Sequence, residues 1–433
     1  MNIRRKYLKG LLMLFGILLL AATQVGMVAR TGAQTGPAEF AARRTPTPTR
    51  APTSTPTPTP MPYASPTPGP TTTVDGTWKI VSSPNVGTGT FGNTLNAAAV
   101  ASANDVWAVG FSPAPSGTPL YIRQSLIEHW DGSAWSVIAS PNPAGKPDVE
   151  LNGVAVISAG DAWAVGHSGD PSVIPYQTLT EHWNGTSWSI ISSPSPGTYN
   201  GNDLTAVTAV STNDVWAVGW YQSGQTGQDG GALTMHWNGT NWTVVPNPSK
   251  NTLYAIKAVS SNNVWAAGVQ VILHWDGTSW SNISFPQLPG SGNTYFFRGL
   301  SATSANDVWA VGFRQWSYFS GYLNAPVTYH WNGTSWSLVY NAGTTYEYLW
   351  GVSAIAPNDV WAVGDNGQTQ HWNGAAWSRV SAPYPDNGGR FYGVAAASAG
   401  DVWAVGESSL LTWVDRYTIP LYIGTVVRTL TTE

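Results

Sequence analysis

A hexapeptide of the form Asp-Val-Trp-Ala-Val-Gly returns seven times, with its Trp at 107, 163, 216, 265, 309, 361 and 403. The intervals are 56, 53, 49, 44, 52 and 42 residues. Self-similarity on this scale means stacked supersecondary units, not independent domains. Between successive copies lies a second signature, His-Trp-(Asn/Asp)-Gly-x-x-Trp. Its first Trp stands at 130, 183, 237, 275, 331 and 372, and its second follows five residues later.

Each unit reads as four short strands. An apolar stretch such as Ala97–Ser102 leads through an Asn104-Asp105 turn to Val106–Val109. After a variable loop, a third strand ends at His129-Trp130, and an Asp-Gly or Asn-Gly hairpin leads to a fourth through Trp135. Both faces of these strands are apolar, so no sheet is stable unless neighbours cover it. Such units stack and close into a ring. Asp75–Pro84 matches a fourth strand with no unit before it, while the last unit keeps only Trp413 of the hairpin signature. The expectation is an all-β, seven-bladed β-propeller of four-stranded blades over 75–433, closed by the N-terminal strand holding Trp78. Ile419–Val427 is left as an added strand or an outside segment.

The pattern VWAVG…HWNGTSWS resembles the tectonin-type repeats of bacterial extracellular β-propeller proteins, and more loosely kelch-type and Asp-box propellers. Tectonin-type propellers are similar to lectins and surface-recognition proteins, so the resemblance implies glycan binding. Longer units and inserted loops set this chain apart, and no binding residue is carried over.

The N-terminus reads differently. Arg4, Arg5, Lys6 and Lys9 precede a charge-free run from Gly10 to Ala29, the pattern of an export signal. It is either cleaved near Ala29 or kept as an anchor helix, since twenty residues span about 30 Å. Residues 30–74 read as a disordered stalk. From Arg43 to Val74, 21 of 32 residues are Pro or Thr, which favours extended polyproline II. The expected setting is extracellular or cell-surface, with membrane contact only through the N-terminal segment.

Residues 75–433 carry eleven basic and twenty-two acidic side chains, a balance of −11 that repels phosphate backbones and argues against nucleic acid. The chain has no cysteine, which excludes disulfides, thiolate metal sites and a copper-radical site with a Tyr–Cys link. His129, His182, His236, His274, His330 and His371 share one position and invite a metal, but on the third strand they stand too far from the axis to share an ion. The turn aspartates 105, 161, 214, 307, 359 and 401 stand singly and read as turn caps, not calcium ligands. No cofactor and no metal is expected, and the propeller is expected to be a monomer.

Repetition marks scaffold, so departures from it mark candidate function. The loop-rich face carries two heterogeneous registers. At the start of strand one sit Asn96, Asn152, Thr205, Tyr254, Arg298, Trp350 and Tyr392; just after strand two sit Phe111, His167, Trp220, Val269, Phe313, Asp365 and Glu407. Tyr254, Arg298, Trp350 and Tyr392 with Asp365 and Glu407 form the expected ligand platform, walled by a blade-five loop holding Arg314 and Trp316. Aromatic faces stack on sugar C–H surfaces, and charged groups bond hydroxyls. The leading expectation is a non-enzymatic recognition module for a glycan or cell-surface ligand. Alternatives are a carbohydrate-active enzyme with Asp365 and Glu407 as its acid/base pair, or a protein-docking scaffold.

Overall fold

The computed structural model describes residues 76–86, 92–114, 122–199, 201–224, 229–290, 292–318, 321–344, 346–382, 389–407 and 426–432. The expected signal and stalk, Trp413 and most of 416–433 lie outside the described residues. Those described form seven four-stranded antiparallel sheets and no helix. In blade one the strands are Thr94–Ser102, Asp105–Pro113, Arg123–Trp130 and Trp135–Val137, from the axis outward.

The expected ring of seven like units is corrected here. Six blades, not seven, are complete units of four consecutive strands. The seventh sheet is composite: Arg390–Ser398, Asp401–Glu407 and Val426–Thr432, with Gly76–Ser82 outermost. Its third strand comes from Val426–Thr432, not from a segment ending at Trp413, and this stretch lacks the His-Trp hairpin of the other blades. The closing strand pairs antiparallel with it from Gly76↔Thr432 to Ser82↔Val426.

A tryptophan zipper joins neighbouring blades. Trp107 packs on Trp183 and Trp188 of the next blade, with ring centroids 5.0 and 5.3 Å apart. The same arrangement carries Trp163, Trp216, Trp265 and Trp309 onto their successors. Trp361 meets Trp78 edge-on at 5.6 Å, and Trp403 meets Trp130 and Trp135 at 5.0 and 5.3 Å, which closes the ring. Each such aromatic pair adds about 0.5–1.5 kcal/mol beyond the area it buries.

The conserved pattern of turns has a local cause. Hairpin Asx side chains accept backbone N–H bonds, as Asp131 does from Ser133 and Ala134 at 2.8 and 2.9 Å, and the following Gly132 takes φ of 93°. The hexapeptide aspartates, expected to cap turns, instead hold the histidines. Asp105, Asp161, Asp214, Asp307 and Asp359 lie 2.6–2.9 Å from Nε2 of the histidine in their own blade. In blade four Asn263 replaces the acid, 3.0 Å from His274. Each of the six histidines is thereby tied within its own sheet. Among the described residues no group of three or more His, Asp or Glu could hold a metal ion.

The inner strands carry the feature that positions the site. Every one contains a β-bulge at one register, and the skipped residues are Asn96, Asn152, Thr205, Tyr254, Arg298, Trp350 and Tyr392. A bulge leaves one residue unpaired and re-aims it. The strand backbone there presses on the hexapeptide glycine: a Cβ on Gly219 would stand 1.9 Å from the Asp203 carbonyl, and one on Gly312 1.9 Å from that of Phe296. That contact, not turn geometry, explains why the hexapeptide ends in glycine each time.

Candidate functional site

The seven bulge residues, though far apart in sequence, line one axial cavity of about 430 Å³. The residue after each bulge is Ala97, Gly153, Ala206, Ala255, Gly299, Gly351 or Gly393, small enough for the strands to converge. A Cβ on Gly393 would stand 2.9 Å from the Ala97 backbone.

The two sides of this cavity differ. On one, Asn96 donates to the Leu151 carbonyl and Asn152 to that of Leu204, both at 2.9 Å, and Thr205 donates to that of Leu253 at 2.8 Å. These side chains stitch each inner strand to the next. On the other, Tyr254, Arg298, Trp350 and Tyr392 pack on one another. The Arg298 guanidinium stacks on Tyr254 at 3.7 Å and lies 5.0 Å from Trp350; Trp350 and Tyr392 meet edge-on at 5.6 Å. Trp220 also lines the cavity. Burial lowers the Arg298 pKa, opposed by its contacts with Tyr254.

Asp365 and Glu407 stand behind this wall, outside the cavity lining. Asp365 accepts from the Trp350 indole at 2.7 Å, and Glu407 from the Tyr392 hydroxyl at 2.7 Å and Thr94 at 3.2 Å. Arg390 bridges both carboxylates, at 3.3 Å from Asp365 and 3.8 Å from Glu407. Burial raises the Asp365 pKa, opposed by Trp350 and Arg390. The two acids therefore orient the aromatic wall. Arg314 and Trp316 lie on the extended second strand of blade five, stacked at 4.2 Å, and neither lines the cavity. The expected loop wall is a β-hairpin, since Asp307–Tyr318 pairs with Gly321–Trp331 along its length.

A polar cluster of blades one to three escaped the sequence reading. Arg123 bonds Asp148 three times, through its backbone N–H at 2.9 Å and its guanidinium at 3.0 and 3.1 Å, and pairs with Glu150. Tyr176 donates to Asp148 at 2.9 Å, and His167 Nδ1 lies 2.9 Å from Asp203. Burial alone would lower the His167 pKa, but Asp203 outweighs it and leaves it raised. The signals in the sequence were His167's place in the variable register just after strand two and its standing outside the repeated histidine position.

No protein-family model matches the chain, and no curated protein resembles it in sequence. Solved structures share its architecture. The structure described as YCF48 bound to D1 peptide gives a TM-score of 0.50 at 14% identity, covering 82% of this chain and 95% of that one. The GH74 xyloglucanase from Xanthomonas campestris gives 0.50 at 11%, covering 79% of this chain and 55% of that one. Likeness at this identity speaks of fold. The chain is a β-propeller repeat protein. The two similar propellers carry different functions in their names, so the fold leaves the ligand to be argued from the cavity. Among the described residues no helix is long and apolar enough to cross a membrane.

Proposed function

We propose that the propeller is a non-enzymatic recognition module that binds a glycan in its axial cavity. The observation that carries this reading is the convergence of seven bulge residues on one space of about 430 Å³, with four aromatics on its wall. Trp220, Tyr254, Trp350 and Tyr392 offer faces and edges for sugar C–H groups, and Asn96 and Asn152 line the far side with amides. The tectonin-type likeness of the repeats supports the same ligand class. Asp365 and Glu407 act through the wall they hold, while Arg314 and Trp316 stand outside the cavity lining. Residues 10–29 and the Pro/Thr segment would export the module and hold it off a membrane, placing it at the cell surface.

A glycan array probed with the purified protein tests this. Binding should appear, and Trp350→Ala with Tyr392→Ala should each reduce it. An array without signal, or variants that bind like the parent, would defeat the reading. The enzymatic alternative keeps one observation in its favour, the raised pKa of Asp365 beside Glu407. Glycosidase screens with Asp365→Asn and Glu407→Gln address it; a parent that turns nothing over removes it.

A further inference from the structure

Charge inside the cavity is sparse and unevenly matched. Of the lining residues only Asp203 and Arg298 are charged. Asp203 already has partners, His167 and Asn152, each at 2.9 Å. Arg298 lacks the carboxylate that most of the other described arginines have; Arg314 also lacks one, but it bonds the Asn293 side chain at 3.4 Å and does not line the cavity. Arg123 pairs with Asp148 and Glu150, Arg379 with Glu347, and Arg390 with Asp365 and Glu407. Among the described residues no carboxylate stands within ion-pair distance of Arg298, and its buried Nε has no hydrogen-bond acceptor.

A buried guanidinium without an anion is costly unless something replaces its hydration. Tyr254 at 3.7 Å, Trp350 at 5.0 Å and Phe313 at 5.8 Å supply ring faces to the cation. Stacking occupies the face of the guanidinium and Tyr254 also bonds its edge, which leaves further N–H donors for an anion. That edge is a planar fork, and a carboxylate fits it with two parallel bonds. The neighbouring aromatics would hold a ring that carries such a group.

We propose that the axial cavity selects glycans bearing a carboxylate, such as uronic acid residues, and that Arg298 is the residue that reads the acid. This rests on the glycan-binding reading and sharpens it to a substrate class. The acidic group would sit against the Arg298 fork, with its sugar ring on Trp350 and Tyr254. Arg298→Lys keeps the charge but loses the fork, so it separates geometry from charge.

The test is titration calorimetry with trigalacturonate and with neutral galactotriose, on the parent protein and on Arg298→Lys and Arg298→Met. The parent should bind the acidic trimer at least tenfold more tightly. Arg298→Lys should lose most of that preference, and Arg298→Met should lose it entirely while still binding the neutral trimer. If Arg298→Met fails to fold, the lysine variant alone decides. Equal binding of the two trimers by the parent, or an undiminished preference in Arg298→Lys, overturns acid selection and leaves glycan recognition standing. Failure of both trimers, with binding to other neutral glycans on the array, also overturns acid selection alone. Failure of every glycan overturns both.

Discussion

The two sides of the axial cavity are built on one backbone device and use it for opposite ends. In blades one to three the bulge residue is short and polar, and it bonds the neighbouring blade. In blades four to seven the bulge residue is Tyr254, Arg298, Trp350 or Tyr392, and the contacts are ring to ring and ring to cation. The lesson is that the bulge fixes a position and leaves the side chain open. Hydrogen bonds across the ring make one side a rigid support. The aromatic side presents apolar surface and an unmatched charge to whatever enters.

If the frame is truly common, breaking it should cost the same on either side. Gly219→Ala and Gly312→Ala each place a Cβ 1.9 Å from a carbonyl oxygen, and each should lose about 3 kcal/mol by urea denaturation. A large inequality would show that the bulge is held differently in the two halves.

The polar side also carries two buried acids between blades, Glu128 and Glu181, where later blades have Met235, Leu273, Tyr329 and Gln370. Burial pushes both carboxyls up to about 8, opposed by Ser83 and Ser140 respectively. Between the ordinary value of 4.5 and about 8 the folded protein holds protons that the unfolded chain releases. Stability should therefore be greatest at the acidic end of this window and fall as pH rises through it. The loss is about 2 kcal/mol or more per carboxyl. Glu181→Gln should flatten its share of the slope in melts across pH 5–8, and an unchanged slope would remove the acid from the account.

A crossed pair of variants sharpens the division further. Trp350→Ala should weaken glycan binding about tenfold or more, as loss of an aromatic platform does. Asn152→Ala should lower stability by about 1–2 kcal/mol through its bonds to Leu204 and Asp203, with a much smaller loss of affinity than Trp350→Ala. The reverse pattern would exchange the roles of the two sides. The smallest effect concerns blade four, where burial lowers the His274 pKa and Asn263 stands in for the usual acid. Asn263→Asp should raise that pKa in an NMR titration and add a few tenths of a kcal/mol, in keeping with a half-exposed pair.

Much of this was readable in the sequence because repetition made it so. The hexapeptide and the Trp hairpin identify six blades outright, and Trp78 is recognisable as a fourth strand without a unit. The third strand of the last sheet was not readable, because Val426–Thr432 lacks the hairpin signature that Trp413 echoes. At the cavity, heterogeneity at one register picked out the seven residues that line it. It could not show that a bulge turns that register to the axis while Asp365 and Glu407 stay behind. The signal for the bulge is the frame around it, Leu or Phe before and Ala or Gly after, as in Leu349-Trp350-Gly351. The Arg123 cluster had no such frame. It joins residues of successive blades through contacts that occur once, and no period reports a contact that occurs once.

The composite sheet has a mechanical consequence. Tension entering at Gly76 meets the Gly76↔Thr432 rung first, and the ladder runs away from that point to Ser82↔Val426. Force applied across the strands would load its rungs one at a time, like a zipper, whereas force along them would load all seven together. The Trp78–Trp361 contact stands at the third rung, a latch behind the first two.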